Sequence, residues 1–208
     1  MAAAIVFAAA PVALTPRLRA RLAFVRQPYV VAADAGAATA LAFGFTPEVV
    51  IGDFDSVDPF TLGQLPLERF PRDKDATDGQ LAIERALQYS PSELILVGFL
   101  GGPRLDQALA NVLLLTSVEI PSVLLDEQNE CVLVRASHTW TPEPTEIVSL
   151  IPLTDRVEGV VTQGLRWPLR GEHLTRGDTR GVSNEPAANR ARVELRQGLL
   201  LLTRHFPL

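Results

Sequence analysis

The sequence predicts an α/β protein: an N-terminal, mostly parallel sheet flanked by helices, followed by a smaller C-terminal antiparallel β-sandwich. Short apolar, β-rich runs alternate with helical patterns up to about residue 127, which is the signature of a covered parallel sheet. Beyond that point strand-like runs broken by Pro and Gly replace the helices. With 208 residues, 47% of them hydrophobic, the chain can bury two modest cores. The predicted domains are residues 1–127 and 128–208.

The elements follow in order. The opening MAAAIVFAAAPVAL has the length of a signal-peptide core, but no positive charge precedes it, so residues 5–7 read as a buried first strand. Residues 29–31, 49–51, 94–97 and 122–125 are further apolar runs of strand length. Between them, residues 17–24, 77–89 and 105–116 carry apolar residues at helical spacing; in the last, Leu105, Leu109, Val112 and Leu113 form the expected buried face, leaving Arg104, Ala108 and Asn111 on another. In the second domain residues 132–134, 147–151, 157–161, 192–195 and 199–202 read as strands, with Gln197-Gly198 as a hairpin turn between the last two. Residues 141–145, TPEPT, form a connecting loop.

Bulk properties exclude several functions. A net charge of -5 speaks against nucleic-acid or anionic-membrane partners. A single cysteine, Cys131, rules out an internal disulfide, and His138, His173 and His205 lack zinc-site spacing. No run approaches the ~18 apolar residues of a membrane span. The expectation is a cytoplasmic protein whose function resides in local sites. Its cations are 18 Arg and one Lys, Lys74.

Chemistry concentrates at strand ends. In IGDFDSVDP, Asp53 and Asp55 follow directly on an apolar run, and six of the eleven aspartates fall between positions 53 and 78: Asp53, Asp55, Asp58, Asp73, Asp75 and Asp78. Crowded carboxylates raise one another's pKa unless a cation neutralises them, and hard oxygen donors without His or Cys suit Mg2+. In DKDATDGQ, Thr77 and Gln80 fit a capping box that would start a helix with Asp78 in its first turn and its N–H groups facing an anion. In VGFLGGPRLDQALAN a strand ends in glycines before a helix, and Arg104 offers a fork of donors to phosphate oxygens. Asp34, after the second strand and beside Gly36, repeats the pattern. Four polar strand ends could thus line one crevice.

These segments resemble the thiamine pyrophosphokinase family: DAGA at 34–37, PEVVIGDFDS at 47–56, KDATD at 74–78, GGPRLDQALAN at 101–111, GLRWPL at 164–169 and GVSNE at 181–185. The resemblance covers nearly the whole chain. It implies an N-terminal α/β domain holding ATP and Mg2+, a C-terminal β domain binding thiamine, and a homodimer with the thiamine site between subunits. The implied reaction transfers pyrophosphate from ATP to the thiamine hydroxyl, giving thiamine diphosphate and AMP. Residue by residue, Asp53, Asp55 and Asp78 resemble the metal and catalytic carboxylates, with Arg104 as charge stabiliser. Asp34, Asp75, Thr77, Arg104 and Asp106 resemble nucleotide contacts. Trp167 resembles the aromatic that packs on thiamine, and Ser183 and Asn184 the C-terminal substrate loop. Two departures stand out: Pro103 separates Gly102 from Arg104, and Gln107 takes the position of a family His.

The residues alone leave three other readings open. DFDSV also fits the nucleophile motif of an aspartyl-phosphate phosphatase, with Asp53 as nucleophile. A pyrophosphokinase acting on a pterin alcohol would need similar metal and ATP residues. A non-catalytic nucleotide-binding regulatory module is the third.

Overall fold

The computed structural model describes residues 2–55 and 63–207. Asp58, one of the clustered aspartates, lies outside the described residues. The chain divides into two compact units, Met1–Glu127 and Gln128–Leu208.

In the first unit six strands pair in parallel in the order β4-β3-β2-β1-β5-β6. They are β1 (Ala4–Phe7), β2 (Tyr29–Ala33), β3 (Val49–Gly52), β4 (Leu67–Arg69), β5 (Leu94–Val97) and β6 (Ser122–Leu125). All residues of β1, β3 and β5 are buried, which is why these segments read as continuous apolar runs without alternation. From β1 the chain builds the sheet outward to β4, then returns to add β5 and β6 on β1's other side. The sequence order therefore reverses about β1, and a crevice is expected at the carboxyl ends of the strands there.

Among the described residues the first unit has four α-helices: α1 (Pro16–Ala23), α2 (Gly36–Ala42), α3 (Asp78–Leu87) and α4 (Leu105–Leu114). The Thr15 hydroxyl accepts from the Leu18 N–H and Pro16 occupies the first turn, so the entry to α1 is fixed by side chains. Thr77 caps α3 likewise, its Oγ accepting from the Gln80 N–H at 3.1 Å. The predicted reciprocal half of that capping box is absent, because the Gln80 amide donates to Glu84 instead. Helix α3 lays Ala82, Ile83 and Ala86 on the sheet, and the two alanines allow it to approach the strands closely.

Helix α4 corrects an expectation. None of its residues is buried, and Leu105, Leu109 and Leu113 are 71%, 57% and 55% exposed. Apolar periodicity reports that a face is suited to burial; it carries no information about what covers it.

The second unit is a sandwich of two antiparallel sheets. One is β7 (Asn129–Val134), β13 (Leu200–His205) and β9 (Ile147–Pro152), with β13 in the middle. The other orders β11 (Arg170–Thr175), β10 (Arg156–Gln163), β12 (Ala191–Glu194) and β8 (Ser137–Trp140). Their inner faces share one apolar cluster, including Trp140, Val148, Leu150, Val160, Val193, Leu200 and Leu202. A buried polar link runs through it: the Trp140 indole N–H donates to Glu146 at 2.8 Å, and Arg204 pairs with the same carboxylate at 2.6 Å.

Gln197-Gly198 is not a hairpin turn. Strand β12 pairs with β8 and β10, whereas β13 pairs with β7 and β9, so the turn passes the chain from one sheet to the other. Gly198 has φ 103°, and a Cβ there would meet the Arg156 carbonyl oxygen at 2.7 Å. The glycine thus serves a crossing packed against β10, with Glu158 and Gln197 bridged.

Candidate active site

A cleft of about 610 Å³ opens at the carboxyl ends of the parallel strands. Its walls come from the loop after β1 (Ala8 to Pro11), from Asp34, from Asp53, from Arg72 and Lys74 ahead of α3, from the helix start at Thr77 and Asp78, and from residues between Gly98 and Asn111. Asp34, Asp53, Thr77, Asp78, Arg104 and Asp106 are therefore brought together. Asp55 and Asp75 are exposed and outside this wall. Asn111 turns its amide inward to the Phe99 carbonyl at 2.8 Å, which ties α4 to the glycine loop.

Glycine and strain shape the floor. A Cβ on Gly52 would fall 1.7 Å from the Asp34 carboxylate, so Gly52 vacates the space that this carboxylate fills. From there Asp34 Oδ1 accepts the Phe54 N–H at 3.4 Å, while Asp53 Oδ1 accepts the Asp55 N–H at 3.0 Å. The Arg69 guanidinium anchors the same loop by donating to the Asp53 carbonyl at 2.6 Å. Asp34 and Phe54 both have positive φ, 44° and 62°, a conformation that persists only where its surroundings enforce it. We expect Gly52→Ala to cost only about 1 kcal/mol of stability, since a short side chain and not the backbone must move. The same change should displace Asp34 and abolish ligand binding at the cleft; calorimetry of unfolding and of nucleotide binding separates the two effects.

The electrostatics are dominated by crowded carboxylates around Asp34. Burial pushes the Asp34 carboxyl up to about 6, with Asp78 and Asp53 adding repulsion and the Phe54 amide opposing them. Asp78 Oδ1 is buried without a hydrogen bond; Lys74 Nζ lies 3.1 Å from it as an ion-pair contact only. A folded-state value above the unfolded one makes Asp34 stabilising at low pH, and that contribution is lost as pH rises from about 4 through 6. Asp34→Asn should accordingly raise metal-free stability above pH 6 by about 1 to 2 kcal/mol, after discounting for partial solvent access, and flatten its pH dependence. Urea titrations from pH 4 to 8 in chelator measure both.

Among the described residues no three His, Cys, Asp or Glu side chains stand closely enough to hold a metal ion by themselves. The donor set nevertheless suits Mg2+, which binds through one or two carboxylates and completes its shell with water and phosphate. The Asp78 oxygen that accepts no hydrogen bond and the crowding at Asp34 are what such an ion would relieve.

Arg104 is engaged. Its Nε and Nη2 donate to the two Asp106 oxygens at 2.9 and 2.6 Å, holding Asp106 down at about 2. Both side chains are over 60% exposed, so this pair contributes little stability and can exchange for a phosphate at small cost.

The remaining predicted residues form a separate group in the second unit. Trp167 is 53% exposed, with the Arg166 guanidinium 4.8 Å from its ring centroid and Arg166 paired to Glu185 at 2.7 Å. The Asn184 side chain clamps it: Oδ1 accepts the Trp167 N–H at 3.1 Å and Nδ2 donates to the Trp167 carbonyl at 2.7 Å. Ser183, at φ 62°, donates its N–H to the Ser149 hydroxyl at 3.0 Å, and Asn184 and Val148 exchange backbone bonds, stitching this loop to β9. Arg166 and Glu185 were not singled out from the sequence; their spacing of nineteen residues carries no local signal.

Comparison with known proteins assigns both units. Residues 20–124 match the catalytic domain of thiamin pyrophosphokinase, and residues 137–200 match its vitamin B1 binding domain. The thiamine pyrophosphokinase of Bacillus subtilis (strain 168) is 29% identical over 181 residues, 82% of this chain and 84% of that protein. The crystal structure of thiamine pyrophosphokinase from Bacillus subtilis superposes with a TM-score of 0.88 at 27% identity over 100% of both chains. That of thiamin pyrophosphokinase from Geobacillus thermodenitrificans gives 0.84 at 27% identity, over 100% of this chain and 98% of its own. The chain is a member of the thiamine pyrophosphokinase family, enzymes that transfer a pyrophosphoryl group to thiamine.

Proposed function

We propose that the cleft of the first unit binds ATP with Mg2+ and that the reaction is in-line attack of the thiamine hydroxyl on the β-phosphorus. The new O–P bond forms as the bond to the α-phosphate oxygen breaks, AMP departs with that electron pair, and the hydroxyl proton is released to solvent. The observation that carries this reading is the convergence of Asp34, Asp53 and Asp78 with the capped start of α3 in one cleft at the strand ends.

In this reading Asp53 and Asp78 hold the metal, and Asp55 and Asp75 contribute to the surrounding negative field from outside the wall. Bound Mg2+ would supply charge neutralisation and orientation of the polyphosphate. Thr77 and the N–H groups opening α3 face the phosphates, where the helix dipole favours negative charge. Arg104 exchanges Asp106 for a phosphate oxygen. Trp167 offers an indole face to the flat, cationic thiamine, with Ser183 and Asn184 shaping that loop. Such chemistry depends on positioning and charge stabilisation, without a protein nucleophile.

The functional form we propose is a homodimer. The exposed Leu105, Leu109 and Leu113 stripe supports it, because an apolar face of this kind is suited to burial against a partner. Among the described residues no helix is long and apolar enough to cross a membrane. ATP as co-substrate and a single cysteine, Cys131, fit a cytoplasmic setting.

The test mixes the protein with ATP, Mg2+ and either thiamine or a pterin alcohol and measures AMP. Release of AMP with thiamine alone is expected. Release with the pterin alcohol, or none with either, defeats the assignment.

A further inference from the structure

The cleft wall contains a lysine that the family assignment leaves without a role. Lys74 is the chain's only lysine among 19 basic residues, and its side chain is 13% exposed. Its Nζ donates to the Pro71 carbonyl at 3.0 Å and approaches Asp78 Oδ1 to 3.1 Å, in a direction that leaves that oxygen without a hydrogen bond. The ammonium thus sits at the carboxylate oxygen that an incoming cation would seek. An ammonium is a compact charge on a flexible stem, so it can leave this position without breaking a planar, bidentate arrangement of the kind Arg104 makes.

We propose that Lys74 is a resident counter-ion and phosphate ligand: in the ligand-free cleft it neutralises Asp78, and on nucleotide binding its Nζ passes from Asp78 to a polyphosphate oxygen. This rests on the nucleotide and metal reading above. No proton is transferred; one ion pair is exchanged for another while the metal takes over Asp78. Lys74 therefore opposes Mg2+ binding when the cleft holds no nucleotide and favours it when phosphate is present. The two consequences have opposite signs, which a merely structural i,i+4 pair would not produce.

The test uses the full chain and two probes, Mg2+ alone and α,β-methylene-ATP with Mg2+, each titrated by calorimetry. For Lys74→Met, Mg2+ alone should bind about tenfold more tightly, since a positive charge next to its ligand is gone. The nucleotide analogue should bind about tenfold more weakly. Lys74→Gln keeps a donor for the Pro71 carbonyl while losing the charge, and it carries the same decision should the Met variant fail to fold. Unchanged affinity for both probes, or parallel weakening of both, overturns the proposal. A wild-type chain that binds neither probe instead sinks the underlying metal and nucleotide reading, and the inference with it.

Discussion

Asp53→Asn should lower turnover by about 100-fold or more at limiting Mg2+ while leaving the fold intact. The loop survives because an Asn side-chain oxygen can still accept the Asp55 N–H, and the Arg69 anchor is to the Asp53 backbone carbonyl. What is lost is one negative charge and a hard donor facing the cleft, and an amide binds Mg2+ more weakly than a carboxylate. Raising Mg2+ should recover part of the rate. Asp55→Asn, outside the cleft wall, should show a smaller loss. Initial rates across a Mg2+ series, with circular dichroism as the folding control, measure this; equal near-normal rates for both variants at low Mg2+ would remove the metal assignment.

Trp167→Ala should raise KM for thiamine by about 10- to 100-fold, the effect of losing an aromatic stacking surface worth about 1 to 3 kcal/mol. Affinity for ATP should stay within about twofold, because every residue lining the cleft proposed to hold it belongs to the first unit and Trp167 to the second. The fold should hold as well, since the ring is half exposed and the Asn184 clamp binds only the backbone of residue 167. Fluorescence offers a direct check. Trp140 is buried, so acrylamide quenching in the wild type reports mainly on Trp167, and thiamine should protect it. Parallel loss of ATP affinity, or quenching indifferent to thiamine, would place Trp167 outside the thiamine surface.

The parts of the fold legible in the sequence are those where burial is two-sided. Strands β1, β3 and β5 are enclosed on both faces, and each shows as an unbroken apolar run. Helix α2 escaped because GAATALA packs by close approach of small residues, without a stripe of large ones. Strand β4 escaped because it is three residues long with exposed ends, so no alternation can develop. The α4 stripe was read correctly as apolar but assigned to the core of this chain, and the supposed hairpin at Gly198 turned out to cross between sheets. Both errors concern which partner an element meets, a long-range fact that local pattern does not encode. In the cleft, Asp34 and Asp53 were visible because carboxylates at strand ends need an explanation, and Asp78 because Thr77 and Gln80 mark a helix start beside them. The role of Gly52 was not visible, since the space it leaves is defined by a side chain eighteen positions away.

The position of β13 has a consequence for biosynthesis. This strand follows all the others in the chain yet stands between β7 and β9, with six residue pairs to each. Until residues 200–205 have been translated, β7 and β9 have no middle strand to join them, and their inward apolar residues, Val134, Val148 and Leu150, lack Leu200 and Leu202 to close over them. All six strands of the first unit precede this stage and form one parallel array, so that unit can mature while the nascent chain is still being extended. The second unit must wait, exposing sticky strand edges in the interval. A frameshift near residue 195 would therefore leave every strand of the first unit encoded and deprive the sandwich of its centre, making the last stretch of the message disproportionately important for a stable product.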